Sequence, residues 1–153
     1  MRRVINRERN PTLGELLSDD GRFTVFLDLV ERAQQLPLLN NDAWDDLITV
    51  FAPVDESFDG QDLMVLRDDP VVLRAFILRH IALGEYYLED LAALGRLSMF
   101  SGRFVTVTEG PNDSVRLETA QVIEGDLYAH NGMAHVLETS IRFGHPVMIE
   151  NIG

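Results

Sequence analysis

Two short apolar segments that lie far apart in the chain constrain its fold most. The dipeptide Asn131-Gly132 offers the two positive-φ residues that a tight hairpin turn needs, and the mostly apolar run 133–138 follows it at once. Well upstream, the run 49–52 has the character of a buried strand, which ends at Pro53 before an acidic turn. We predict that these two strands pair at the centre of one sheet.

The composition fits one globular domain and excludes several kinds of catalytic and metal site. Of the 153 residues 46% are hydrophobic, enough to bury a core without disulfide bonds, and the absence of cysteine excludes thiolate metal sites and cysteine nucleophiles. All 13 basic residues are arginine, which also excludes lysine Schiff-base chemistry. The net charge of −12 opposes binding to nucleic-acid phosphates.

The sequence divides into one domain with two short ends. We predict a loose, arginine-rich N-terminal arm at residues 1–10, a single domain at residues 11–146 and a C-terminal tail at residues 147–153. Neither a signal peptide nor an apolar run of roughly 18 residues is visible. We therefore expect no membrane span and a cytoplasmic location.

Helical signals dominate the first part of the domain. Thr12 and Glu15 have the spacing of a capping box, and Asp69 before Pro70 joins a good N-cap to a good first helical residue. Pro37 is expected to end the amphipathic helix before it. Together with apolar residues at helical spacing, these signals predict helices at residues 12–17, 22–36, 70–84 and 88–94.

Strand signals dominate the rest of the domain. Beyond Gly95 the apolar period changes from about 3.6 to 2, and turn signals stand at residues 110–113 and at Gly125-Asp126. The predicted strands are 104–108, 115–118, 120–124, 127–130 and 133–141. Helices followed by strands indicate an α+β fold.

Four of these segments, in this order, resemble the fasciclin-type (FAS1) domain family. The two signature stretches of the family are similar to residues 49–58 and 126–138, its central helix to residues 73–84, and the strand that follows the helix to residues 101–107. The resemblance covers residues 11–146. It implies a wedge-shaped β-sandwich with helices packed along one side, and an adhesion or protein-interaction module rather than a catalyst. Because members of the family are usually extracellular, the resemblance leaves an extracellular location open beside the cytoplasmic one.

Two histidines are the candidates for chemistry. His80 lies on the apolar face of a predicted helix and His135 on a predicted buried strand, where a neutral imidazole can join backbone groups through both ring nitrogens. We favour this structural interpretation. The alternative is an intracellular small-molecule-binding protein or a cofactor-independent enzyme of the cyclase or isomerase type, with either histidine as an acid–base catalyst in a pocket. Neither interpretation needs a cofactor, and no metal site is predicted.

Three aromatic residues just outside the predicted elements, together with Arg79 and His80 on a predicted helix, are the candidates for binding a partner. Tyr86, Tyr87 and Phe100 are aromatic residues that can anchor a partner or seal the core, and Arg79, beside His80, is expected to face solvent. Animal adhesion members of the family carry tyrosine where Arg79 stands. The expected partner is a protein or a small molecule, and a homo-oligomer is a further alternative.

Overall fold

The computed structural model describes residues 10–40 and 47–142. Two predicted segments lie outside this part of the chain. They are the N-terminal arm at residues 1–10, of which only residue 10 is described, and the tail at residues 147–153. The helices are α1 (Leu13–Asp20), α2 (Thr24–Arg32), α3 (Leu36–Leu39), α4 (Gly60–Asp68), α5 (Pro70–Leu78) and α6 (Leu88–Leu94). The strands are β1 (Ile48–Pro53), β2 (Ile81–Leu83), β3 (Arg96–Ser98), β4 (Phe104–Glu109), β5 (Val115–Leu117), β6 (Ala120–Ala129) and β7 (Gly132–Leu137).

The pairing of the two separated apolar segments is confirmed. β1 and β7 are parallel neighbours, with Val50 opposite Ala134 and Ala52 opposite Val136. Every residue of both strands is buried. The strand order is β2-β1-β7-β6-β5-β4-β3, and all the other neighbouring strands are antiparallel.

The sheet curls until its two ends meet. The amide of Phe100, just after β3, donates to the carbonyl of Ile81 in β2 over 2.8 Å. This curvature makes two cores. One lies between the outer face of the sheet and helices α1 to α5, and the other lies inside the curl and is closed by Leu91 of α6. The predicted α+β fold is confirmed: α1 to α5 pack along one face of the sheet, and α6 closes the inside of the curl.

The predicted helix at 70–84 is wrong at its C-terminal end. α5 ends at Leu78, and residues 81–83 form β2, in which Ile81 lies opposite Val50 of β1. The carbonyl of His80 accepts from the Phe51 amide over 2.8 Å. Pairing with the buried β1 backbone satisfies donors and acceptors that a longer helix would leave unpaired, so it outweighs the helical period.

The prediction that Pro37 ends a helix is wrong, because Pro37 lies in the first turn of α3. The predicted helix at 22–36 is interrupted after α2, because Gln34 adopts a φ of 61°. Proline is tolerated in a first helical turn, where its missing N–H has no intrahelical acceptor. The sequence analysis did not predict α4 or β3. The apolar residues of α4 form a continuous run, and β3 has three residues.

The break predicted at Gly125-Asp126 is a bulge. β6 is one strand from residue 120 to 129, with shifts of register between Val122 and Leu127, and Asp126 has a φ of 59°. A bulge adds a residue and bends the strand without ending it. At the other end of the hairpin, β7 is shorter than predicted and ends at Leu137 rather than Ile141.

The β6–β7 hairpin turns at His130-Asn131, one residue earlier than predicted. Gly132 is already part of β7, opposite both Ala129 and Ile48. The Asn131 side chain is buried, accepts from the Leu13 amide over 2.9 Å and donates to the Leu39 carbonyl over 2.8 Å. Asn131 therefore links α1 and α3 to the β6–β7 hairpin through these two hydrogen bonds.

A side chain at position 132 should destabilise the fold. A Cβ there would collide with the backbone carbonyl oxygen of Ile48, in the neighbouring strand. We expect Gly132→Ala to lower the free energy of unfolding by about 2–3 kcal/mol, in the range of an overpacked core. Urea denaturation measures this change. Gly60→Ala is the matched control, because a Cβ there meets nothing within 4 Å. Equal stability of the two variants would contradict the prediction.

Candidate functional site

His80 is buried and holds three parts of the chain together. Its Nδ1 donates to the Phe76 carbonyl over 2.8 Å, and its Nε2 accepts from the Ile141 amide over 2.9 Å. The ring lies against Phe26 and Phe76, with centroids 5.9 and 4.6 Å away. Both ring nitrogens are thus engaged by backbone groups, in the tautomer that carries its hydrogen on Nδ1.

The surroundings of His80 keep it neutral. The pKa of His80 is lowered from 6.5 to about 3, chiefly by burial and to a smaller extent by the charge of Arg79, while the hydrogen bond to Phe76 opposes the shift. A proton on Nε2 would also replace an acceptor with a donor facing the Ile141 amide. His80 therefore stays neutral across the physiological pH range.

His135 has the same kind of environment in the other core. Its Nδ1 accepts from the Asp126 amide over 3.1 Å, and its Nε2 donates to the Tyr86 carbonyl over 2.7 Å. The ring stacks on Phe51 with centroids 5.4 Å apart, and the Asp126 carboxylate accepts from the Leu88 amide over 2.9 Å. His135 thereby joins the β6 bulge to the segment that leads into α6.

Burial is the largest influence on His135 as well. It lowers the pKa of this histidine, against the opposing effects of the Tyr86 carbonyl and the Asp126 carboxylate. Neither His80 nor His135 is exposed to solvent, and they lie in different cores. The structure therefore gives them no shared cavity in which they could act as an acid–base pair.

The expectation that Arg79 faces solvent is wrong. Arg79 is half-buried, its Nη1 donates to the Ile141 carbonyl over 3.1 Å, and its guanidinium lies 5.5 Å from the centroid of Phe76. Burial lowers the pKa of Arg79, and the nearby charges of Arg103 and Arg142 lower it further. Because α5 ends at Leu78, the chain turns at Arg79 and brings this side chain against residues 140–142.

The three predicted aromatic binding residues do not converge on one site. Tyr87 is buried and makes an edge-to-face contact with Tyr128, with centroids 5.9 Å apart. Tyr86 is half-buried beside α6, in an open depression that Glu89 and Leu94 also line. Phe100 is half-buried beside α5 and packs against the core under the helices.

Several apolar residues of α4 and α5 are exposed, which sequence reasoning missed. Val71 is 78% exposed and Val72 38%, and on α4 Met64 is 65% and Val65 57% exposed. Val72 shares its helix with Leu73, Phe76 and Ile77, which are buried. Periodicity identifies the faces of a helix, but the packing of α4 against α5 decides which apolar residues stay exposed.

Arginines gather around α5, although the chain is strongly acidic. Three segments meet there: the Ser101 amide donates to the Leu78 carbonyl over 3.2 Å, and Arg79 binds the Ile141 carbonyl. We call residues 70–84, 97–104 and 139–142 the α5 face. These segments contain no aspartate or glutamate, and their arginines are Arg74, Arg79, Arg103 and Arg142.

Two clefts flank α5. The α4–α5 cleft has a volume of about 240 Å³ and lies between Val65 of α4, Phe76 of α5 and the segment 140–142. The α5–Phe100 cleft has a volume of about 550 Å³ and is lined by Val71, Arg74 and Phe100, among others.

Within residues 10–40 and 47–142, no group of three or more histidine, aspartate or glutamate side chains could hold a metal ion. Among the helices described above, none is long and apolar enough to cross a membrane.

Comparisons with known proteins support the fasciclin resemblance. A family model described as the fasciclin domain matches residues 21–142. A solved FAS1 domain pair from the insect cell adhesion molecule fasciclin I superposes with a TM-score of 0.71 at 18% identity, over 86% of this chain and 51% of that one. At this identity the structural likeness shows the fold alone.

The chain is also similar to parts of longer animal proteins. It is 26% identical to stabilin-2 of Mus musculus over 86% of its own length, but spans 5% of that protein. It is 28% identical to human periostin over 89% of its length and spans 16% of it. An uncharacterized protein of Synechocystis is 27% identical over 88% of this chain, which spans 99% of that relative.

The buried neutral state of His80 should make stability depend on pH. The folded pKa of about 3 lies below the ordinary value of 6.5, so below pH 6.5 the unfolded chain binds a proton that the folded chain does not. The stability that neutral His80 contributes is therefore fully present above pH 6.5. It is lost as the pH falls toward the folded pKa of about 3. We expect the free energy of unfolding to fall by about 2 kcal/mol between pH 7 and pH 5 from this residue.

Urea denaturation at pH 7, 6 and 5 measures this loss. His80→Gln is the informative variant, because an amide retains one donor and one acceptor but does not titrate. It should be less stable at pH 7 and should show a shallower decline toward pH 5. The same decline in both proteins would show that His80 is not its source.

Proposed function

This chain belongs to the fasciclin domain family, and from that premise we propose that it is a protein-interaction module that binds its partner through the α5 face. Homologous fasciclin domains serve in adhesion and protein interaction. The observation that carries the proposal for this chain is the exposed apolar residues of α4 and α5 beside a group of arginines.

The apolar part of this surface favours a macromolecular partner. Val71 and Val72 follow Pro70 in the first turn of α5, and Met64 and Val65 lie on the neighbouring α4. Isolated exposed apolar residues are common, but several on two adjacent helices are typical of an interaction site. Their removal from water on binding contributes roughly 25 cal/mol per Å² of apolar surface buried.

The charge around the α5 face favours an acidic partner. The whole chain carries −12, and long-range repulsion opposes the approach of an acidic protein to most of its surface. The three segments of the α5 face contain four arginines and no acidic residue, and Asp69, Glu85 and Glu138 adjoin their ends. An acidic partner is therefore guided to this face, and we propose that its contact surface has an apolar centre with aspartate or glutamate at its rim.

The geometry supports a cofactor-independent enzyme less well. That hypothesis needs an acid–base group at the wall of a pocket. His80 and His135 are buried, and the ring nitrogens of both are engaged by backbone groups. A catalytic role for either histidine would require a movement that opens one of the two cores.

Site-specific photocrosslinking tests the proposed surface. p-Benzoylphenylalanine at Val71 should capture an acidic protein that the same group at Thr108, an exposed residue of β4, does not capture. The captured protein is then purified, and its affinity for the unmodified chain is measured. We expect Arg74→Glu to weaken binding at least about tenfold, and about 0.5 M NaCl to weaken it as well.

Arg116→Glu is the matched control, because Arg116 is exposed on β5, outside the α5 face. This substitution makes the same change of charge and should leave the affinity nearly unchanged. Equal losses for Arg74→Glu and Arg116→Glu would indicate non-specific electrostatic attraction. Capture of the same proteins from Val71 and Thr108 would overturn the proposed face.

A further inference from the structure

A further cleft lies between α1 and α2, and we call it the α1–α2 cleft. It has a volume of about 530 Å³ and is lined by residues of α1 and α2 together with Leu36 and Asn40, and none of the described residues that line it belongs to the α5 face. Leu17, Leu27 and Leu36 form its apolar floor, in which Leu27 and Leu36 are only half-buried. The volume lies within the range of about 300–1,000 Å³ that is typical of binding pockets. The cleft therefore has room for a few side chains of a ligand.

The rim of the α1–α2 cleft is acidic. Its carboxylates belong to Glu15, Asp19, Asp28 and Glu31, and the described residues that line the cleft include no arginine. Glu15 takes part in the capping box of α1. The Asp28 carboxylate lies 3.0 Å from Nε of Arg32 and 3.5 Å from Nη2 of Arg67, so its charge is offset within the fold.

Asp19 and Glu31 are the carboxylates of this rim that are open to a ligand. Both side chains are exposed, and within residues 10–40 and 47–142 neither has a hydrogen-bond or ion-pair partner. The segment 41–46, which follows Asn40, contains three aspartates and no basic residue, so it supplies no counter-charge. A ligand that combines positive charge with an apolar part therefore matches this cleft best.

The N-terminal arm of the same chain has this chemistry. Val4 and Ile5 give it an apolar centre, and its one acidic residue is Glu8. Outside the described residues, arginine occurs only in this arm. The four arginines of the arm are Arg2, Arg3, Arg7 and Arg9. The arm thus complements both the acidic rim and the apolar floor of the cleft.

The arm enters the domain beside the cleft. The Pro11 carbonyl accepts from the His130 amide over 2.7 Å, which fixes the chain where the arm ends. One residue later, Oγ1 of Thr12 donates to Oδ1 of Asn40 over 2.8 Å, and Asn40 lines the cleft. Asp19 lies roughly 10 Å further along α1, whereas residues 1–9 can span up to about 30 Å when extended. The arm is therefore long enough to cross the whole cleft.

We propose that the N-terminal arm docks in the α1–α2 cleft of its own chain, with Val4 and Ile5 over the apolar floor and its arginines at Asp19 and Glu31. Exposed ion pairs are individually weak, but a tethered ligand has an effective concentration on the order of millimolar, so a few such contacts suffice. The arm is then a bound segment and not the loose one that its composition predicts. This contact goes beyond the proposed protein contact at the α5 face and does not rest on it.

A spin label on the arm tests this contact in the full chain. Because the sequence has no cysteine, Asn6→Cys provides a single site for a nitroxide label. We expect the label to broaden the amide NMR signals of Ser18, Leu27 and Glu31 and to leave that of Leu117, in β5, sharp. About 0.5 M NaCl should restore most of the lost intensity, because salt screens the ion pairs.

Charge reversal on each side of the contact identifies the ion pairs. Asp19→Arg with Glu31→Arg should remove most of the broadening, and so should Arg3→Glu with Arg7→Glu. Combining all four substitutions should restore the broadening, because opposite charges again face each other. Glu109→Arg with Glu138→Arg is the matched control, because both residues are exposed and lie outside the cleft. This pair makes the same change of charge and should leave the broadening nearly unchanged.

The label also distinguishes other positions of the arm. Broadening centred on Glu89 and Leu94 would place the arm in the depression beside α6 and overturn the proposal, as would the absence of site-specific broadening or equal losses in the control variant. Broadening of an unlabelled ¹⁵N chain by a spin-labelled ¹⁴N chain would assign the contact to a second copy and overturn it too. Arg74→Glu, which alters the α5 face, should leave the broadening unchanged, so the two contacts can fail independently.

Discussion

The parallel pairing of β1 with β7 is the constraint on which the rest of the structure depends. Alternate side chains of a strand point to opposite faces, so this buried pair supplies both cores: Val50 and Val136 face the helices, and Phe51 and Leu137 face the inside of the curl. The two backbones approach so closely at Ile48 that position 132 has no room for a side chain. Each core then receives one neutral histidine that satisfies backbone groups which the strands do not pair.

Much of the fold followed from local signals. The capping box of Thr12 with Glu15 and the Asp69 cap are present, because such motifs need only neighbouring residues. The extent of α5 was mispredicted for the opposite reason. Residues 81–83 fit a helical period, but β1 offers them a sheet edge, and that edge is created only by tertiary structure. The bulge at Asp126 likewise depends on a tertiary contact, in which the Asp126 amide donates to Nδ1 of His135 on the neighbouring strand.

The candidate site residues were likewise predictable where local sequence decides their position, and not where tertiary contacts decide it. Apolar neighbours in the sequence correctly placed His80 and His135 in the interior. The position of Arg79 depended on where α5 ends and on residues 140–142, which no local pattern connects to it. The exposed valines were missed because a helix rich in apolar residues can be covered on more than one side. Whether a surface is covered is decided by the neighbouring elements, and a single sequence does not reveal their positions.

The meeting of the two ends of the sheet has a consequence for how this domain can associate. An open edge strand exposes a row of unpaired amides and carbonyls, which invites strand addition by another chain and, in the extreme, fibril growth. Here the Ile81 carbonyl of β2 already accepts from the Phe100 amide just after β3, so part of this edge is paired. The proposed contact with a partner therefore rests on exposed side chains of the helices rather than on backbone pairing at this edge.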